Sequence, residues 1–323
     1  MMVKKVLGMG NAVLDILVET SDSYLQKNNL SKGSMILVDQ EESDKIVNDV
    51  TPTKKDSGGS VANSMVGISV LGGSASFCGK VKNDELGQDF EKRMQITGTE
   101  FLCTKSDSGL PTARCLVLVT PDGERTMQTF LGASTTLNES DIEEDFFDDV
   151  KFLFVEGYLW SSQSAQNAIM KAVELSKKRD VKIVFSLSDP GLTKMYANDF
   201  SSFIDKSVDI LIGNESEFYE IFQSTNTDSI SKQISKMVEI GFMTQGKNGA
   251  TLFENKQFDK IKTPPVNNVV DTTGAGDMFA AGTLFKLQNK ASAEDSATFG
   301  CMVAAKIITQ FGARPNDDFK STV

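Results

Sequence analysis

The sequence predicts an α/β fold: a doubly wound, mostly parallel sheet with helices on both faces and a small β-sheet lid. Three observations lead there. Short β-like runs alternate with helix-length amphipathic stretches through most of the 323 residues, the rhythm of a parallel sheet covered by helices. Two stretches in the first half break that rhythm and read as strands without an intervening helix. The chain then closes on two helix-like runs, at 277–290 and 293–310.

In chain order, VKKVLGMG reads as a first buried strand, although its charged start and apolar stretch superficially resemble a leader peptide. Gly8, Gly10, Asn11 and Asp15 interrupt that stretch, and no small-residue cleavage site follows. GGSVANSMVGISVLGG is helix-like, with Val61, Met65 and Ile68 at helical spacing, and ASFCGKV at 75–81 is the next strand. KFLFVEGYL (151–159), the helix-like AQNAIMKAVELSKKRD, VKIVFSLS, VDILIGN, GFMTQG and ATLFE continue the alternation. DILVET with SMILVD, and ARCLVLVTPDGERTMQTFLG around a Pro-Asp-Gly turn, read as antiparallel strands. They predict lid strands at about 14–39 and 110–132, inserted in a single α/β domain spanning 1–323. A flap over the carboxyl ends of the parallel strands would exclude water from transfer chemistry.

Composition removes several function classes. The chain has no histidine, which excludes Ser-His-Asp and Cys-His catalysis and histidine-containing zinc sites. A general base must come from Asp, Glu or Lys. The formal charge of −11 argues against general binding to nucleic acid or an anionic membrane. Cys78, Cys103, Cys115 and Cys301 are scattered without a CxxC pair, which predicts no disulfide framework and a reducing cytoplasm. No run approaches the ~18–20 apolar residues of a membrane helix. An edge of the lid could stay open in a monomer or pair in a homodimer.

Three glycine-rich spots suggest phosphate binding. GMGNAV at 8–13 lacks the third glycine of a dinucleotide loop, and GGSASFCGKV places Val81 where a phosphate loop needs Ser or Thr. The third, DTTGAGDMFAAG at 271–282, sets Asp277 behind a Gly274-Ala275-Gly276 turn at a helix start. Unpaired N–H groups there hold anions. Read alone, the acid could simply answer the helix dipole, worth ~0.3–1 kcal/mol. Other residues also have plain readings: Asn214-x-x-Glu217 as a capping box, Gly58-Gly59 as a helix-start turn, Asp15 as a strand-end acid, Asn63 as a polar helix face.

DTTGAGDMFAAG resembles the C-terminal signature of the PfkB/ribokinase family of sugar and nucleoside kinases, and GGSVANSMVGISVLGG its N-terminal signature. GNAVLD, GKVKNDELG, the lid hairpin, NESE and a closing FGARP follow the family's order, so the likeness covers nearly the whole chain. Within the family, the opening and the TPDGERTMQTFLGA hairpin look closest to adenosine kinase-like members.

The resemblance implies a ribokinase-like fold and a Mg·ATP-dependent kinase acting on a hydroxymethyl group. The acceptor would be adenosine at its 5′-hydroxyl, with a ribokinase- or fructokinase-type sugar as the alternative; a non-catalytic nucleoside or sugar sensor is the reading from another class. Asp277 matches the catalytic aspartate, and Gly274, Ala275 and Gly276 the anion hole. Asp15 would bind two acceptor hydroxyls, helped by Asn11, Gly58, Gly59 and Asn63. Asn214 and Glu217 would serve the ATP phosphates and Mg²⁺ largely through water. Thr244, Gly246 and Gly249 match the Thr-x-Gly-x-x-Gly nucleotide loop, with Lys247 exposed, and Ala304 with Ala305 would line the adenine slot. Arg125 could reach the transferred group, while Asp271 and Thr273 match positions that hold K⁺ in many relatives. Phe130 and Met127 are the candidates for stacking on a purine.

Overall fold

The computed structural model describes residues 4–103, 105–316 and 319. Fourteen strands among them form two sheets. In chain order these are β1 (Lys5–Met9), β2 (Val13–Glu19), β3 (Met35–Leu37), β4 (Lys54–Gly58), β5 (Ala75–Cys78), β6 (Glu100–Phe101) and β7 (Ala113–Val119). There follow β8 (Arg125–Phe130), β9 (Val150–Glu156), β10 (Lys182–Ser186), β11 (Ile210–Asn214), β12 (Ile240–Thr244), β13 (Ala250–Glu254) and β14 (Gln257–Ile261).

The large sheet runs β14-β13-β12-β11-β10-β9-β1-β5-β6. Its strands pair in parallel from β12 through to β6, and β13 and β14 add an antiparallel edge. Alternation along β1 sends Val6 to one core and Leu7 and Met9 to the other, as a sheet covered on both faces requires. The helices Ser60–Val70, Ala275–Gln288 and Ala293–Ile307 fill the first face, and Gln163–Lys178 and Ala197–Ser207 the second. Val61, Met65 and Ile68 are fully buried, as their spacing predicts.

The second sheet, β3-β8-β7-β2-β4, differs from the expected antiparallel pairs. β2 pairs in parallel with β7 and antiparallel with β4, and β3 pairs in parallel with β8; only β7 and β8 form the predicted hairpin. The missing strand, β4, is KKDSG, which lacks the β-branched and aromatic residues that mark strands. The ladder to β2 orders it. β14 (QFDKI) escaped because Asp259 and Lys260 interrupt its apolar residues, and KFLFVEGYL leaves the strand at Glu156 for a 3₁₀ turn. The two closing helices run over Ala275–Gln288 and Ala293–Ile307, slightly displaced from the predicted limits.

Registers place Asp15 opposite Cys115, Val117 opposite Met127 and Val119 opposite Arg125. Asp15, Arg125 and Met127 therefore share one face of the small sheet with Val13, Leu17 and Val117. Phe130 lies on the other face, under the Arg114 guanidinium at 5.7 Å. Cys78 and Cys103, distant in sequence, meet in the core with their sulfurs 2.7 Å apart, and both are free thiols.

Candidate active site

The site forms where the carboxyl ends of β1, β9, β11 and β12 meet the start of the helix Ala275–Gln288, the usual ligand position in an open α/β sheet. β1 runs out through Gly10 and Asn11 straight into β2, so one strand carries the chain from the large sheet to the acid at Asp15.

Asp277 stands in the first turn of its helix. Its Oδ1 accepts from Ser60 Oγ at 2.7 Å and its Oδ2 from Asn63 Nδ2 at 2.8 Å. Ser64 Oγ donates to its carbonyl at 3.0 Å. Burial raises the Asp277 carboxyl above its ordinary range, opposed by those two side-chain hydrogen bonds and by the charge of Arg314. Asn63 is 5% exposed, and its Oδ1 has no partner among the described residues. A buried acceptor left open is costly and marks where a donor belongs. Gly274 caps the helix at φ 78°, against Ala313, and leaves the first N–H groups without a side-chain cap.

The acceptor side is shaped by close approach. A Cβ on Gly58 would lie 2.3 Å from Asp15 Oδ1, and one on Gly59, at φ 93°, 2.2 Å from the Asn11 carbonyl. Burial pushes the Asp15 carboxyl up to about 7; Arg314 opposes this, Asp56 adds to it, Arg125 opposes it and Asp277 adds to it. Asn11 contributes its main chain: its N–H donates to Glu156 Oε1 at 2.7 Å. Glu156 Oε2 accepts from the Val61 N–H at 2.9 Å. This buried glutamate, pushed up to about 7 by burial despite those bonds, clamps the β1 exit to the helix that carries Ser60 and Asn63. Sequence reasoning missed it, together with Ser60 and Arg314. An acid closing the apolar run KFLFV was the available signal.

On the other side of the Gly274-Ala275-Gly276 turn lies a cavity of about 520 Å³, lined by Thr244, Gly246, Lys247, Gly249, Ala275, Gly276, Ala304 and Ala305 among apolar neighbours. Lys247 is exposed. A smaller cavity of about 130 Å³ joins Asn214, Glu217 and Thr244 to Gly276, Asp277 and Ser60. Gly276 and Thr244 line both. Asn214 and Glu217 do form a capping box: Glu217 Oε2 accepts from the Asn214 N–H at 2.8 Å and Oε1 from Asn214 Nδ2 at 2.7 Å. Burial pushes Glu217 up to about 7.

A magnesium ion fits this donor set. A desolvated carboxylate facing the anion turn gains from a nearby cation, and Mg²⁺ takes few protein oxygens and keeps its waters. No group of three or more acidic, Cys or His ligands forms among the described residues.

Asp271 and Thr273, the residues expected to hold K⁺, are tied to the lid: Arg125 Nη2 ion-pairs with Asp271 Oδ2, and Nη1 donates to Thr273 Oγ1 at 3.2 Å. The remaining Asp271 oxygen accepts from the Thr273 N–H at 3.0 Å. A guanidinium already supplies the positive charge there. Arg125 is accordingly committed to the loop before the anion turn instead of reaching freely toward a transferred group. Phe130 faces away from Asp15, whereas Met127 shares its face.

Comparison with known proteins fits this geometry. The profile of the pfkB family carbohydrate kinases matches residues 26–319. The chain belongs to the pfkB kinase family. Among solved structures, adenosine kinase from Sinorhizobium meliloti superposes with a TM-score of 0.90 at 31% identity, covering 99% of this chain and 98% of that one. A Rhizobium etli protein designated a probable sugar kinase gives 0.90 at 32% identity, with the same coverage of 99% and 98%. The 5-dehydro-2-deoxygluconokinase of Bacillus subtilis is 26% identical over 263 residues, 78% of this chain and 81% of its own. This pfkB kinase is thus a carbohydrate or nucleoside kinase with the ribokinase-like α/β architecture. None of its described helices is long and apolar enough to cross a membrane.

Proposed function

We propose that this pfkB kinase moves the γ-phosphoryl group of ATP to the 5′-hydroxyl of adenosine, with Asp277 as general base and the Gly274–Gly276 turn as anion hole. The observation that carries the choice of acceptor is the setting of Asp15: a buried carboxylate beside Val13, Leu17, Val117 and Met127, on a sheet face that also carries Arg125 and, directly opposite Asp15, Asp56. A carboxylate suits a ribose diol by accepting both hydroxyl protons, and the apolar part of that face, Val13, Leu17, Val117 and Met127, suits a purine ring better than further hydroxyls.

The chemistry follows from the neighbours. An alcohol attacks phosphorus well only if its proton has somewhere to go, and Asp277 is the base in place to take it. Ser60 and Asn63 fix both its oxygens, and the open Asn63 Oδ1 is ready for an acceptor hydroxyl. N–H groups of the Gly274-Ala275-Gly276 turn would stabilise charge on the group in flight. Thr244, Gly246, Gly249 and Ala304 would hold the nucleotide in the larger cavity. Mg²⁺ bound with ATP would neutralise phosphate charge, with Glu217 beside Asn214 holding its waters. K⁺ activation is not part of this proposal, because Arg125 takes the cation's place on Asp271. We place the protein in the cytoplasm, in keeping with its four free thiols, as a monomer or homodimer without nucleic-acid or membrane partners.

A free sugar is the second reading, favoured by the likeness to the B. subtilis kinase. A coupled ADP-release assay across nucleosides and sugars tests the choice. Adenosine should give the highest kcat/KM; preference for a ketose or sugar acid would replace it. Binding without turnover of any acceptor would favour a sensor.

A further inference from the structure

The stretch Phe311–Arg314 touches the site at four successive residues. The Phe311 ring lies under the Arg125 guanidinium, 4.3 Å from its centroid. The Gly312 N–H donates to Asp271 Oδ2 at 2.8 Å. Ala313 packs so closely on Gly274 that a Cβ there would sit 2.6 Å from the Ala313 Cβ. Arg314, 9% exposed, donates from Nε to the carbonyl of Ser57, next to Gly58.

The other edge of that guanidinium is underused. Among the described residues its Nη1 and Nη2 meet only Met94 Sδ, at 3.9 and 3.8 Å, and a thioether is a weak acceptor. Burying an arginine with so few partners costs several kcal/mol. The compensation lies in the acids around it: Asp56, Asp15 and Asp277 each feel its charge. Asp56 also has Lys54, 3.1 Å away. Among the described residues Asp15 and Asp277 have no comparably close lysine, and Arg125 is spent on Asp271. Two desolvated carboxylates facing one cleft would otherwise escape their repulsion by taking up a proton, and a protonated Asp277 accepts nothing.

We propose that Arg314 is a positioning residue for phosphoryl transfer: a fixed buried charge that favours the carboxylate forms of Asp15 and Asp277 over their protonated ones. The proposal rests on the roles assigned above to those two acids. Arginine suits the task because it stays charged when buried, where lysine readily gives up its proton. The groups facing the pair are Asp56, Cys115, Arg125 and Arg314, with Glu217 across the small cavity from Asp277 and Glu156 behind Asn11 and Val61.

The test compares Arg314→Met, Arg314→Gln and Arg314→Lys with the wild type in two readouts. One is the pH profile of kcat/KM for the acceptor; the other is carboxyl ¹³C NMR titration of Asp15 and Asp277, which needs no turnover. Loss of the charge should move the acid limb and both NMR midpoints up by about one pH unit or more, a tenfold or greater rate loss below the limb with recovery at high pH. Arg314→Lys should fall between the wild type and Arg314→Gln, because a buried lysine gives up its proton more readily. Unmoved midpoints in a folded Met or Gln variant overturn the proposal. The Gln variant alone decides the matter if Met does not fold. A wild type that phosphorylates no acceptor would instead refute the assigned roles, leaving the NMR arm to judge the charge coupling alone.

Discussion

Asn63 Nδ2 donates to Asp277 Oδ2 across 2.8 Å while Asn63 Oδ1, on the same amide, is buried without a partner among the described residues. One side chain thus orients the base and holds an acceptor position open beside it. Replacing Asn63 with Leu should cost both. The loss of a hydrogen bond to a charged group is worth about 1.5–3 kcal/mol, so kcat/KM should fall on the order of 10- to 100-fold. The Asp277 carboxyl, released from a bond that lowers it, should titrate higher and carry the acid limb with it. Steady-state kinetics against pH checks both effects.

Gly58→Ala should damage the acceptor site selectively. Its Cβ would lie 2.3 Å from Asp15 Oδ1, so the carboxylate must move. Overpacking of this kind costs about 1–3 kcal/mol, which predicts roughly a tenfold or larger rise in KM for the acceptor. The nucleotide cavity, lined by other residues, should keep its affinity for ATP in isothermal titration. Equal losses for both ligands would mean the substitution unfolds the site as a whole.

Stability should fall as pH rises from about 4.5 toward 7. Asp15, Glu156 and Glu217 are all raised to about 7 in the folded protein. In that window the native state binds more protons than the unfolded chain, so the slope of unfolding free energy against pH is negative. For Glu156 the shift from 4.5 corresponds to on the order of 3 kcal/mol. Urea melts of wild type and Glu156→Gln across this range should show a flatter slope in the variant. Parallel slopes would assign the ionisation elsewhere.

Potassium should be dispensable. Asp271 is already neutralised by Arg125 and also accepts from the Thr273 and Gly312 N–H groups. Rates in buffers where choline replaces K⁺ should agree within error. A strong drop would show that the ion competes with the guanidinium for this carboxylate.

What could be read from the chain depended on how local each feature is. The Gly274-Ala275-Gly276-Asp277 turn was legible because its chemistry lies in four consecutive residues, and the alternation of the large sheet because period and length recur. Ser60 and Asp277 are 217 residues apart, and Glu156 and Asn11 145 apart, so no spacing rule connects them. β4 was invisible because KKDSG becomes a strand only by pairing with β2. The lid topology failed for a related reason: adjacency in sequence suggested β2 with β3, whereas β2 lies between β7 and β4. Asp271 was legible as a site residue, but its partner Arg125 lies 146 residues away.

The account turns on Asp277 receiving the acceptor's proton, and single-turnover transfer from ATP to adenosine by Asp277→Asn tests it most directly. With both ligands bound at saturation, the rate should fall by about 10²- to 10⁴-fold, while equilibrium binding of each ligand changes only a few-fold. Transfer at the wild-type rate by the folded variant would contradict it.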